Sequence, residues 1–317
     1  MKLNLWPNHP FFRYSLFFYL LLSISTITVS CTSILPPLLP EPDPQNPTNL
    51  YSSEPLQVAV LPWQSPEGQQ EKLQPLAEHL ETLLKRPVNF QITKNYAEAV
   101  DLIVKEEVDM AYLAALTYIK AKERNPNIRP LVMPINRISG RPWYTSVIIA
   151  NTTKNIKTLE DLKGKRFAFV SPSSTSGFLI PMNGLETAGI NPTRDFSKIR
   201  YSGSHDKATQ DLVDGVVDAV TNDKASFLRS QKSGKLDANY KIIWESNPIP
   251  APPIVINAKK FTPQMIVQLQ EILIDAPIGV VDVSGTESNG YTLGQDADFE
   301  EIRQIYTRLK YTKVAEK

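Results

Sequence analysis

The sequence predicts an α/β protein with two lobes, preceded by a leader segment and a linker. From Leu56 onward, short apolar runs alternate with amphipathic stretches, which is typical of strands separated by helices. Two such sets are joined by crossing segments near residues 140 to 146 and 246 to 254, so the chain passes between the lobes twice. Because ligands bind preferentially in clefts at domain boundaries, we expect a binding site between the lobes.

Composition and charge exclude several functional classes. The 317 residues include 34 Lys and Arg against 33 Asp and Glu, which gives a net charge of +1. A chain so balanced has no overall field to attract nucleic acid or an acidic membrane, so a charged ligand must be recognised locally. A single cysteine excludes a disulfide framework and a zinc cluster, and three histidines argue against a multi-histidine metal centre. We expect no cofactor, no metal and no nucleic-acid partner.

Residues 1–30 are predicted to form a lipoprotein signal peptide. A sparse basic region with Lys2 and Arg13 precedes an apolar run that is about as long as a signal-peptide core. The run leads into Thr-Val-Ser-Cys at 28–31, which resembles a bacterial lipoprotein signal in which the cysteine is lipidated, although Thr28 stands where leucine is usual. Cys31 is therefore the predicted lipidation site. The alternatives are an uncleaved anchor and a buried core cysteine.

Residues 31–55 are predicted to be a proline-rich tether. Repeated proline excludes helix and central strand and favours an extended, semi-rigid spacer. The prolines that define it are Pro36, Pro37, Pro40, Pro42, Pro44 and Pro47. A tether of this kind separates a globular body from a membrane surface, so the body is expected to begin near Leu56.

The first set of elements lies before the first crossing segment. Leucines at helical spacing mark its first helix, and Pro62 and Pro87 end the first strand and that helix. The predicted strands are 57–61, 88–92 and 110–113, and the predicted helices are 71–84 and 96–107.

The second set lies between the two crossing segments. Its predicted strands are 146–150, 166–170, 198–201, 218–220 and 241–244, with helices that begin at Thr158 and span 211–217. A strand at 254–256 and helices at 263–274 and 298–309 follow. We therefore assign 56–144 plus 251–317 to lobe 1 and 145–250 to lobe 2.

A serine-rich stretch at 171–177 follows a predicted strand and precedes a helical run. Ser174, Thr175 and Ser176 offer three hydroxyl groups beside unpaired backbone N–H groups, which suits a tetrahedral oxyanion without a cation. The alternative is an ordinary serine-rich helix cap. Pro181 predicts that the following helix is kinked or begins later, since proline removes a backbone hydrogen bond.

A second polar stretch, Tyr-Ser-Gly-Ser-His-Asp at 201–206, also follows a predicted strand. His205 can donate from a ring nitrogen to an anion, with Asp206 or a backbone group fixing its tautomer. The alternative is that His205 is a capping or surface residue.

Four motifs in order along the chain resemble the PhnD-type phosphonate-, phosphite- and phosphate-binding proteins of ABC importers. They are Asp-Leu-Lys-Gly-Lys at 161–165, Ser-Thr-Ser-Gly at 174–177, the stretch at 201–206, and Glu-Ser-Asn-Pro-Ile-Pro at 245–250. The resemblance covers about Val58 to Ile256. It implies a type II periplasmic-binding-protein fold, a Venus flytrap with a mixed sheet in each lobe and a two-segment hinge.

The resemblance also implies which residues bind the ligand. In members of the family the serine-threonine-serine run and the histidine hold the phosphorus-bound oxygens, and two tyrosines complete the pocket. The corresponding residues are Ser174, Thr175, Ser176, His205, Tyr96 and Tyr144, with Trp63 and Tyr112 as further lining candidates. Without the resemblance, core packing is an equal alternative for the tyrosines.

Two departures from the family pattern bear on the ligand. Members that bind aminoalkylphosphonates hold the ammonium group with carboxylates, at positions where this chain has Ala225 and Pro252. Burying an ammonium group without a carboxylate costs several kcal/mol, so the pattern favours phosphite, methylphosphonate or phosphate. Asp223 lies close by in sequence and could replace the missing carboxylate.

The resemblance predicts a monomeric, lipid-anchored solute-binding protein, not an enzyme, that delivers a small phosphorus oxyanion to an ABC permease with a cytoplasmic ATPase. A sensor of the same fold is one alternative, and other ligands such as thiamine precursors or sulfonates are another. A hydrolase with Ser174 or Ser176 as nucleophile and His205 as base is a third, although the Gly-x-Ser-x-Gly elbow is missing.

Overall fold

Two mixed β-sheets, each flanked by helices, make up the described chain. The computed structural model describes residues 54–137, 139–280 and 288–315. The predicted signal peptide, Cys31 and most of the predicted tether lie outside the described residues. In the described part of the chain no helix combines the length and the apolar character that a membrane crossing requires.

The first sheet has six strands, and its helices come from both ends of the chain. Its strands are β1 (Leu56–Val60), β2 (Val88–Ile92), β3 (Met110–Tyr112), β4 (Ile128–Asn136), β12 (Ile254–Asn257) and β13 (Ser288–Leu293), in the spatial order β13-β4-β12-β3-β1-β2. Strand β1 pairs in parallel with β2 and β3, whereas β12 is antiparallel to β3 and β4. The helices are α1 (Pro66–Leu84), α2 (Tyr96–Val104), α3 (Ala115–Arg124), α8 (Pro263–Ile274) and α9 (Glu300–Ala315).

The second sheet has five strands from the middle of the chain. They are β6 (Ser146–Asn151), β7 (Arg166–Phe169), β8 (Lys198–Tyr201), β9 (Ala219–Asp223) and β10 (Tyr240–Glu245), in the order β10-β6-β9-β7-β8. Strand β7 is parallel to β8 and β9, and β6 is antiparallel to β9 and β10. The helices are α4 (Ile180–Thr187), α5 (Pro192–Asp195), α6 (His205–Val213) and α7 (Lys224–Lys232).

The two crossing segments pair with each other between the sheets. Strand β5 (Trp143–Tyr144) is antiparallel to β11 (Ile249–Pro250), and the amide of Ala251 donates to the carbonyl of Pro142 at 2.8 Å. This two-stranded ribbon is the hinge of the predicted two-lobed fold. We call the six-stranded sheet with its helices lobe 1 and the five-stranded sheet with its helices lobe 2; the residue boundaries assigned above stay a prediction.

Two elements predicted from the sequence are wrong. The helix expected from Thr158 is only a single 3-10 turn, Glu160–Leu162, because the Asp161 carboxylate accepts from the amides of Lys157 and Thr158 and closes a turn. The helix expected at 211–217 is α6, which begins six residues earlier where the Ser204 hydroxyl accepts from the Lys207 amide.

The prediction made from Pro181 is confirmed. The segment Thr175–Leu179 is a π-helical turn, and the α-helix α4 begins only at Ile180, with Pro181 in its first turn. A proline in the first turn removes an N–H group that has no intrahelical partner in any case. The π-helical turn, which is wider than an α-helical turn, therefore sets the direction of Thr175 and Ser176 ahead of α4.

Within lobe 2, helix α4 packs against strand β10 at a glycine. A Cβ atom at Gly184 would lie 2.4 Å from the Trp244 ring of β10. We expect Gly184→Ala to reduce the free energy of unfolding by about 1–3 kcal/mol, because overpacking exceeds the gain in helix propensity. The measurement is the urea midpoint at unchanged slope.

Gly68→Ala in α1 is the matched control. A Cβ there meets only the Ser65 hydroxyl, at 3.2 Å, at the start of the helix. We expect this variant to unfold at the wild-type midpoint or above it. If Gly184→Ala were as stable as Gly68→Ala, the packing argument would be wrong.

Candidate ligand-binding site

The serine loop, residues 171–177, is held rigidly by the strands of lobe 2. The carbonyl of Ser176 accepts from the Ser146 hydroxyl at 2.6 Å, and the carbonyl of Gly177 accepts from the Thr221 hydroxyl at 2.7 Å. Both partners are buried residues on neighbouring strands. The loop therefore satisfies these carbonyls within the protein and leaves its hydroxyl groups for other contacts.

A close approach of backbone to side chain requires glycine at the end of the serine loop. A Cβ at Gly177 would lie 2.4 Å from the Cβ of Val170, far inside van der Waals contact. The amide of Val170 also donates to the Gly177 carbonyl at 2.9 Å. The glycine of the Ser-Thr-Ser-Gly motif thus lets the loop fold back onto the end of β7.

The three hydroxyl groups of the motif have different partners. The Ser174 hydroxyl caps the π-helical turn and accepts from the Gly177 amide at 3.0 Å. The Thr175 oxygen accepts from the Leu116 amide of lobe 1 at 2.9 Å, which links the two lobes. The Ser176 hydroxyl has no hydrogen-bond partner, although its atom is buried.

His205 is the first residue of α6 and is completely buried. Its Nδ1 atom lies 2.6 Å from Oδ1 of Asn222 on β9. The sequence-based expectation that Asp206 or a backbone group fixes the tautomer is wrong, because Asn222 has that position and Asp206 lies 3.6 Å from Arg229 of α7.

A buried carboxylate connects His205 to lobe 1. Asp223 accepts from the amide and hydroxyl of Ser226, at 2.8 and 2.6 Å, and from the indole N–H of Trp63 at 3.2 Å. Trp63 also stacks on the imidazole, with ring centroids 4.6 Å apart and planes 15° apart. Burial lowers the pKa of His205 and favours the neutral ring, whereas Asp223, 3.3 Å from Nδ1, acts in the opposite direction.

The three predicted tyrosines lie on different elements. Tyr96 is the first residue of α2, Tyr112 ends β3, and Tyr144 belongs to the hinge strand β5. Burial raises the pKa of Tyr96, the adjacent Ser174 side chain opposes that rise, and Tyr144 and Asp223 add to it. These mutual influences place the hydroxyls of Tyr96 and Tyr144, the serine loop and the Asp223 carboxylate in one neighbourhood.

Two buried polar atoms in this neighbourhood lack a partner, Ser176 Oγ and His205 Nε2, and the Tyr96 hydroxyl has only the adjacent Ser174 side chain. Each of these residues is at most 1% exposed. A buried polar atom without a hydrogen bond costs roughly 1–3 kcal/mol, so such atoms are rare unless something else binds them. Their concentration here marks the candidate site.

One cavity of the described chain adjoins this site, and a larger one is lined by other residues. One of about 250 Å³ adjoins it at the hinge and is lined by Tyr144, Thr145, Lys224 and Ala225 among others. A larger one of about 330 Å³ lies between Leu116, Phe178 and Tyr306, and none of the predicted ligand residues lines it.

Sequence reasoning missed two residues that organise the site and left a third unresolved. Asn222 orients the imidazole, the Leu116 amide reaches across to the serine loop, and Asp223 accepts from Trp63 of lobe 1. The sequence signal for Asn222 and Asp223 is that they form a polar pair at the end of a buried strand. The ligand roles of the eight predicted residues stay a prediction.

Comparison with known proteins supplies the family. The model of the "ABC transporter, phosphonate, periplasmic substrate-binding protein" family matches residues 58–292. The chain is 26% identical to the phosphate-import protein PhnD of Mycolicibacterium smegmatis over 291 residues, which cover 83% of this chain and 88% of that protein. It is 28% identical to the phosphonates-binding periplasmic protein of Escherichia coli over 206 residues, which cover 63% of this chain and only 60% of that protein.

A solved structure agrees with the fold. The chain is similar to PhnD1 from Prochlorococcus marinus in complex with methylphosphonate, with a TM-score of 0.74 and 21% identity, over 82% of this chain and 99% of that one. This likeness supports the two-lobed periplasmic-binding-protein fold predicted from the sequence. From the match over 58–292, the chain belongs to the periplasmic substrate-binding proteins of phosphonate ABC transporters.

Proposed function

We propose that this chain captures a small phosphorus oxyanion between its lobes and delivers it to an ABC permease driven by a cytoplasmic ATPase. The observation that supports this most directly is the pair of buried polar atoms without partners, Ser176 Oγ and His205 Nε2, in the region of the Tyr96 hydroxyl. A tetrahedral anion offers several oxygens to such atoms at once. The membership of a transport family supports delivery to a permease.

The geometry favours a small, uncharged substituent on phosphorus. Trp63 is 1% exposed and stacks on the His205 ring from the lobe 1 side of the site. Ala225 provides no carboxylate, and both oxygens of Asp223 already accept hydrogen bonds from Ser226, with a further bond from Trp63 to Oδ2. An aminoalkyl ligand would therefore bury its ammonium group without a dedicated partner. Phosphite, methylphosphonate and phosphate meet these constraints.

The geometry argues against the hydrolase alternative. Nucleophilic catalysis needs a serine hydrogen-bonded to its base. Neither the Ser176 hydroxyl nor Nε2 of His205 has a hydrogen-bond partner, so the two do not form such a pair. The Ser174 hydroxyl accepts from the Gly177 amide as a helix cap. We therefore propose a binding protein without enzymatic activity.

Closure joins groups from both lobes around the ligand. The Leu116 amide to Thr175 and the Trp63 indole to Asp223 are buried bonds that cross from lobe 1 to lobe 2. A ligand that touches Tyr96 of lobe 1 and Ser176 of lobe 2 gains both contacts only when the lobes meet. That differential affinity shifts the population toward the closed state.

The test of the proposed function is calorimetric titration of the full chain with phosphite, methylphosphonate, phosphate and 2-aminoethylphosphonate. We expect at least one of the first three to bind with about 10-fold or greater preference over the aminoethyl compound, because its ammonium group lacks a carboxylate. Phosphorus-31 NMR of the same mixtures is expected to show the ligands unchanged. Tightest binding of 2-aminoethylphosphonate, or turnover of any ligand, would refute this assignment.

Two alanine variants locate the binding event. Ser176→Ala removes a hydroxyl proposed to donate to the anion, and a hydrogen bond to a charged group is worth about 1.5–3 kcal/mol, so affinity should fall about 10- to 100-fold. Ser171→Ala in the same loop is the matched control, since that hydroxyl accepts from the Ser173 amide on the outer side of the loop. Equal affinities of the two variants would place the ligand elsewhere.

The buried bond between Leu116 and Thr175 predicts an effect on closure. Thr175→Val leaves the Leu116 amide buried without an acceptor, at a cost of about 1–3 kcal/mol, and therefore favours the open state. Small-angle X-ray scattering of the ligand-free protein should give a larger radius of gyration for this variant. Thr175→Ser keeps the hydroxyl and should scatter like the wild type. Superimposable curves for all three proteins would contradict this role.

We further propose that the chain is an exported monomer anchored by lipid on Cys31. The signal-like run and the proline-rich segment support this, as does membership of a periplasmic family. In a bacterial host we expect incorporation of labelled fatty acid into the wild type and none into Cys31→Ser. Thr28→Leu, which restores the usual residue, should be labelled at least as well as the wild type. An unlabelled wild-type protein would exclude the anchor.

A further inference from the structure

The orientation of Asn222 determines which nitrogen of His205 carries a proton. The Asn222 amide nitrogen lies 2.9 Å from Thr209 Oγ1 and 3.2 Å from the His205 carbonyl, both acceptors. Its oxygen accepts from the Asp223 amide at 2.9 Å. The oxygen, not the NH₂ group, therefore lies 2.6 Å from Nδ1 of His205. An acceptor at that distance requires a proton on Nδ1.

With Nδ1 protonated, Nε2 of the neutral ring has only a lone pair. This atom is buried and without a hydrogen-bond partner, in the neighbourhood of the Ser176 and Tyr96 hydroxyls. Those hydroxyls can donate to an oxyanion, whereas Nε2 can only accept. If the anion carried no proton, a lone pair of its oxygen would face the lone pair of Nε2, and the two would repel each other.

The charged groups around His205 do not relieve this conflict. Asp206 on the same helix lies beside Arg229 of α7, 3.6 Å away. Asp223 of β9 lies 3.3 Å from Nδ1, and the ring of Trp63 from lobe 1 covers the imidazole without a charge. Burial favours the neutral ring. A dianion would therefore place two further negative charges near a buried carboxylate with no cation between them.

We infer that the site binds phosphorus acids together with one proton, which lies between a ligand oxygen and Nε2 of His205. This inference rests on the proposed function and refines its substrate class. The ligand is an oxyanion that still carries an acidic hydroxyl, or that takes up a proton as it binds. Strong-acid anions of the same shape, sulfate and methanesulfonate, bring no proton and therefore bind more weakly. His205 is thus a specificity-determining residue for the protonation state of the ligand.

The test is calorimetry of the full chain with methylphosphonate at about pH 8.5, above the second ionisation of such acids, which is about 6 for a phosphate monoester. Titrations in buffers of different ionisation enthalpy give the number of protons bound with the ligand. We expect uptake of about one proton per ligand, and a tenfold loss of affinity for each further pH unit. Tight binding without proton uptake would overturn the inference and leave the proposed function intact.

His205→Gln is the informative variant, because its amide can donate at the position of Nε2 without titrating. We expect binding by this variant with proton uptake abolished, and unchanged uptake would overturn the inference. Circular dichroism checks that the variant folds. The wild type alone gives a second readout: sulfate and methanesulfonate should bind about 10- to 100-fold or more weakly than methylphosphonate at neutral pH. Equal affinities would overturn the inference, and binding of no phosphorus acid would overturn the proposed function with it.

Discussion

The buried carboxylate of Asp223 is the group around which the closed cleft is organised. It caps α7 through the Ser226 amide, accepts from the indole of Trp63 in the other lobe, and lies behind the imidazole of His205. Because Asp223 is only 1% exposed, removal of any of these donors would leave a buried charge with too few hydrogen bonds. The contact between lobes, the start of α7 and the environment of the histidine are thus set by one side chain.

The polar groups of the cleft fall into two sets with different tasks. One set is paired within the protein: the carbonyls of residues 176 and 177, the Asn222 amide and both carboxylate oxygens of Asp223. These bonds fix the backbone and the side-chain directions. The other set, at Ser176 and His205, is buried and unpaired. A rigid frame that presents a few unsatisfied atoms is preorganised, so little entropy is lost when an anion binds.

Much of this arrangement could be predicted from the sequence, and the reasons are local. Strand-to-helix junctions rich in serine, glycine and histidine indicated both polar loops, and the proline at 181 indicated a delayed helix start. The partners of those loops could not be predicted, because they come from distant parts of the chain. Leu116 meets Thr175 across 59 residues, and Trp63 meets Asp223 across 160. The short 3-10 turn at 160–162 was also missed, because a helix-start pattern does not reveal whether the following residues bury a face.

Thr175 combines the two properties that a closing receptor needs. Its oxygen accepts from the Leu116 amide of lobe 1, and in the function proposed above the hydroxyl proton of the same group donates to the anion. Donation to an anion polarises the hydroxyl and makes its oxygen a better acceptor, so ligand contact and lobe contact strengthen each other. The bond between the lobes joins only protein groups and stabilises their contact. What the ligand adds is the pairing of the remaining buried atoms, and the free energy of that pairing determines how far the closed population rises.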